Sequence, residues 1–60
     1  MLSAEDWVVA FSNHLRKKAG INTDEALTIA ESSLACLDGD TETDPIDAAD
    51  DEMYYWAQNH

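Results

Sequence analysis

Apolar residues recur along this chain at the three-and-four spacing of an α-helix, in three blocks separated by Gly, Asn, Asp and Pro. In the first block Ala4, Trp7, Val8, Phe11, Leu15 and Ala19 share one face at about 100° per residue. Ser3, followed three residues later by Asp6, forms a capping-box-like start. Glu5 and Asp6 meet the positive end of the helix dipole, and Arg16, Lys17 and Lys18 meet the negative end. Gly20 tolerates the positive φ of a helix stop, and Ile21 is placed to fold back on Leu15 as in a Schellman motif.

The second block is expected to start at Thr23, whose hydroxyl can cap, with Asp24 and Glu25 in the first turn. It runs to Leu37 and stops at Asp38-Gly39. Leu27, Ala30, Leu34 and Leu37 form one stripe, and Ala26, Ile29, Ser33 and Cys36 form another beside it. Together they exceed the roughly 100° that a surface helix needs, which predicts packing against two neighbours or against one neighbour and a partner chain. The third block opens on Asp44-Pro45, an N-cap residue followed by Pro at the first helical position. Ile46, Ala49, Met53, Trp56 and Ala57 fall on its apolar face. Asp47, Asp51, Tyr54 and Tyr55 lie on or near the opposite face, with Asp50 at the border, and Gln58, Asn59 and His60 are expected to fray.

No segment alternates with period two, so no strand is predicted. The spacing predicts an all-α three-helix bundle with helices over roughly 4–19, 24–37 and 45–57, in a single domain spanning 1–60. Short connections suit antiparallel neighbours. At 60 residues the chain buries only about 60% of the surface that its unfolded form exposes, so stability is marginal and an enclosed catalytic pocket has little room. A hydrophobic content of 45%, with two Trp, two Tyr and one Phe, exceeds that of a disordered acidic tail. The single cysteine, Cys36, excludes an intramolecular disulfide framework and favours a reducing cytoplasm. Neither a signal peptide nor a membrane span is read.

Charge changes this picture most. The only basic residues are Arg16, Lys17 and Lys18, and the net charge is −10. From Asp38 to Glu52 the chain carries eight carboxylates and no cation. Such a surface repels itself and attracts cationic ones. Stability is therefore expected to rise with salt, or with a dimer that buries further apolar area. Direct nucleic-acid binding is excluded, because phosphate contacts dominate such affinity and this surface is anionic.

The chemistry-bearing residues form no reactive set. The loop Asp38 to Asp44 places acids at alternate positions, which invites a calcium reading as a remote alternative. Counted from Asp38 or from Asp40, it lacks both the Gly at the sixth position and the Glu at the twelfth that an EF-hand requires. His14, Cys36 and His60 stand at no metal-ligand spacing, so no metal or cofactor is assigned. A Cys36–His14 pair across the first two helices is conceivable, but it lacks an orienting third group. Cys36 reads as a small buried hydrophobe and His14 as a structural histidine at the edge of the apolar face. Every Asp and Glu maps to a cap, a loop or a solvent face, where no carboxyl acquires the raised pKa of a general acid. The chain is not expected to be an enzyme.

The expected function is protein contact. Asp40, Glu42, Asp47, Asp50, Asp51, Glu52, Tyr54 and Tyr55 are the candidate partner-binding residues, facing a basic protein surface. Tyrosine is enriched at interface hot spots. One version is mimicry of nucleic acid, directed at a nucleic-acid-binding partner. In size and charge alone the chain resembles small acidic proteins of bacteriophage and mobile elements that block DNA-binding enzymes, with no motif matched. The alternative is a structural homodimer built on the double stripe of the second helix with Trp7 and Trp56.

Overall fold

The computed structural model describes residues 2–58. Among them are three helices and no strand: α1 Ala4–Ala19, α2 Thr23–Cys36 and α3 Pro45–Gln58. The three-helix bundle is therefore present, with each boundary within a residue of the sequence expectation. Gln58 completes α3 rather than fraying from it. The fraying expected of Asn59 and His60, and any role for His60 as a ligand, fall outside the described residues.

Local chemistry explains the helix ends. Ser3 Oγ accepts the Asp6 N–H at 3.1 Å, opening α1. Gly20 adopts φ 73° and donates its N–H to the Arg16 carbonyl at 3.1 Å. That single bond is the αL stop rather than the Schellman pair expected from the sequence. Ile21 still turns inward, half-buried against the core. Helix α2 corrects the expected cap by one residue. The Asn22 side chain, not the Thr23 hydroxyl, accepts the Glu25 N–H at 2.8 Å. Helix α3 starts as expected, with Asp44 Oδ1 accepting the Ile46 N–H at 2.9 Å.

The core is built around α1. Trp7, Phe11 and Leu15 are fully buried, and Trp7 stacks on Phe11 with ring centroids 5.2 Å apart. Each such side chain contributes roughly 2–3 kcal/mol by leaving water. Facing them are small residues: Ala26 and Ala30 with Leu34 on α2, and Ala49 on α3. Helix α1 packs extensively on both partners, whereas α2 and α3 barely meet. Trp7 reaches Thr43 and His14 reaches Asp50, so α3 runs in the same direction as α1. Helix α2, joined to α1 by a three-residue turn, runs against both.

Burial departs from the helical-wheel expectation in several places. On α2 the buried line Ala26, Ala30 and Leu34 crosses both expected stripes, because a single neighbour, α1, covers the helix. Cys36, expected to be buried, is exposed. Ile46 is 39% exposed, and Ala4, Ala19 and Ala57 at the margins of their helices are open to solvent as well. Ser12 is buried instead, and its hydroxyl donates to the Val9 carbonyl at 3.0 Å, so no orphaned polar group results. No helix of the described residues is long and apolar enough to cross a membrane.

Candidate functional site: an acidic face and the α2–α3 groove

The connection from α2 to α3 holds itself in shape. Asp38 and Gly39 both take positive φ, 55° and 76°, and the Gly39 N–H donates back to the Leu34 carbonyl at 3.0 Å. Asp40 Oδ1 accepts the Glu42 N–H at 3.0 Å, an Asx-type turn. The Trp7 indole N–H then donates to the Thr43 carbonyl at 2.7 Å, tying the loop to the centre of the core. Asp40 and Asp44 thus direct an oxygen to their own backbone. Among the described residues no group of three His, Cys, Asp or Glu side chains is placed to hold a metal ion.

The eight candidate residues do not form one surface. Asp40, Glu42, Asp47, Asp50, Asp51, Tyr54 and Tyr55 are exposed, and Glu52 is half-buried. Asp50 is engaged: the His14 Nε2 lies 2.7 Å from its Oδ1, and since a carboxylate only accepts, the ring N–H donates. His14 is therefore turned toward α3, away from any pairing with Cys36, which lies on the α2–α3 side. Glu52 is engaged as well, accepting the Ser33 hydroxyl at 3.1 Å across the gap to α2. Asp47 and Tyr54 stay on the outer side of α3, whereas Asp51 and Tyr55 turn toward α2. Both tyrosines are highly exposed, Tyr54 at 68% and Tyr55 at 64%.

Because α2 and α3 each pack on α1 but scarcely on each other, an open groove of about 1100 Å3 runs between them. On α2 it is lined by Glu25, Thr28, Ile29, Ser32, Ser33 and Cys36. On α3 it is lined by Ala48, Asp51, Glu52, Tyr55 and Trp56. Both sets repeat at three-and-four spacing, so each helix presents one continuous stripe to the groove. Reading the sequence helix by helix missed this feature. The signal for it was the excess width of the α2 apolar arc, which the structure leaves partly uncovered.

The charges are largely uncompensated. Among the described residues the only ion pair is His14–Asp50, and none of Arg16, Lys17 and Lys18 meets a carboxylate. Trp7, assigned with Trp56 to a homodimer surface, is fully buried, which leaves Trp56 as the member of that pair that reaches the groove. No protein-family model, no curated protein and no solved structure matches the chain.

Proposed function

We propose that this chain is a non-enzymatic interaction module that docks on a basic surface of a partner protein, through the acidic residues of α3 and the loop before it. The observation that carries this reading is the absence of a Lys or Arg partner for any carboxylate among the described residues, in a chain of net charge −10. An anionic surface left unpaired steers cationic partners and discriminates against anionic ones. Asp47 and Asp51, four residues apart, sit about 5–6 Å from one another on the helix, and neither pairs with a cation among the described residues. Tyr54 and Tyr55 beside them offer rigid, amphipathic contact area.

The test is capture from a cell lysate on the immobilised chain, at low and at high salt. A basic protein retained at low salt should be released as the Debye length contracts. The Asp47→Asn/Asp51→Asn variant should lose that protein. Glu5→Gln/Glu31→Gln, the same change in charge placed elsewhere, should keep it. Equal retention by both variants overturns the reading. Competition by duplex DNA in the same experiment identifies a nucleic-acid-binding partner and hence the mimicry version.

A further inference from the structure

Resting on that reading, we propose that the α2–α3 groove is the seat of a basic amphipathic helix supplied by the partner protein. Two helices that share α1 as a neighbour and are bridged to each other by the Ser33–Glu52 hydrogen bond present, above that bridge, the surface on which another helix packs. The stripes on α2 and α3 are spaced for ridges-into-grooves contact along their length. From Glu25 to Cys36 the α2 side extends about 17 Å at 1.5 Å per residue, enough for roughly three turns of a docked helix. Ile29, Trp56 and Ala48 supply apolar lining, which suits a helix-in-groove mode with anchors at three-and-four spacing.

Charge selects the occupant. The acidic lining residues are Glu25, Asp51 and Glu52, and no Lys or Arg lines the groove. Neither α2 nor α3 has a basic residue in its last turn. Because these helices run in opposite directions, each end of the groove sets one C-terminus beside one N-terminus, and the first-turn acids Asp24, Glu25 and Asp47 offset the partial positive charge of the N-termini. A second copy of a chain with net charge −10 is repelled there, whereas a helix with an apolar stripe flanked by Lys or Arg meets opposite charge along its whole length.

Cys36, exposed on the groove wall and the only cysteine in the chain, reports occupancy. The probe is a fluorescein-labelled Leu/Lys peptide of about four helical turns with Leu at three-and-four spacing. Its control is the same composition in shuffled order. Binding is read by anisotropy, and Cys36 alkylation by a maleimide is timed in parallel. At a peptide concentration of about ten times Kd, alkylation should slow about tenfold. The shuffled peptide should give no protection. Ser32→Arg, an exposed change on the groove wall, should abolish binding while circular dichroism shows the helices intact.

Binding without protection of Cys36, or equal protection by the shuffled peptide, overturns the groove assignment and leaves docking through the acidic face standing. Failure of both peptides to bind at low salt overturns the groove assignment, and the lysate experiment then decides the broader reading separately. Alkylation that slows as the protein alone is concentrated makes a second copy the occupant and overturns the proposal as well.

Discussion

At the scale of single residues, the turn between α1 and α2 shows how narrowly capping chemistry is placed. Asn22 and Thr23 are adjacent and both are good N-cap residues, yet only the Asn22 side chain reaches the Glu25 N–H. Asn22→Ala should therefore cost about 1 kcal/mol of stability, and Thr23→Ala only a few tenths, in paired urea melts. A larger loss for Thr23→Ala would return the cap to Thr23. Read from the sequence, the cap falls at Thr23 and passes over Asn22. The backbone decides between them: Asn22 is extended, at φ −77° and ψ 168°, as an N-cap residue must be, whereas Thr23 is already helical. Cys36 teaches the same lesson in reverse. Its position on an apolar arc predicted burial, but the neighbour needed to cover it is absent from the described fold.

At the scale of elements, α1 carries the fold because it alone contributes large side chains to both interfaces. Trp7, Phe11 and Leu15 meet alanines on α2 and α3, and small residues there let the helices approach α1 closely. Trp7 has a second task, since its indole N–H holds the loop before α3 through Thr43. Trp7→Phe should remove that bond and leave a void. The expected loss is about 1–3 kcal/mol, with faster amide hydrogen exchange at Gly39 and Asp40 than at Gly20. Uniform acceleration along the chain would show that the bond is not a local tether. The pairing of 7 with 43 and 14 with 50 was not legible in the helix pattern. Each of those contacts joins residues far apart in sequence, and wheel angles do not say which neighbour a face meets.

At the scale of the whole molecule, a small core has to hold together a strongly anionic surface. The described chain spans 32 × 21 × 15 Å, so many of its thirteen carboxylates fall within a Debye length of one another at moderate ionic strength. Screening should relieve that repulsion more in the compact state than in the expanded unfolded chain. Urea midpoints should accordingly rise from low to high concentrations of sodium chloride. A flat or falling trend would mean that repulsion does not limit stability. The His14–Asp50 pair offsets little of this load, because its carboxylate is 58% exposed and such pairs contribute about 0–1 kcal/mol.

What the sequence determined by itself is what short-range physics controls. Helix number, helix ends, the acids and cations at helix termini, and the exposed pair Tyr54 and Tyr55 all follow from neighbours within a turn or two. The tertiary structure alone decided where the eight candidate residues lie and what they bond. It commits Asp50 to His14 and Glu52 to Ser33, keeps Asp47 and Tyr54 on the outer side of α3, and turns Asp51 and Tyr55 toward α2. It also opens the groove, which exists because α2 and α3 each pack on α1 rather than on each other. The wide apolar arc of α2 signals a face left to cover, but no pattern within one helix says which neighbours meet it, since that depends on how three surfaces share one central partner.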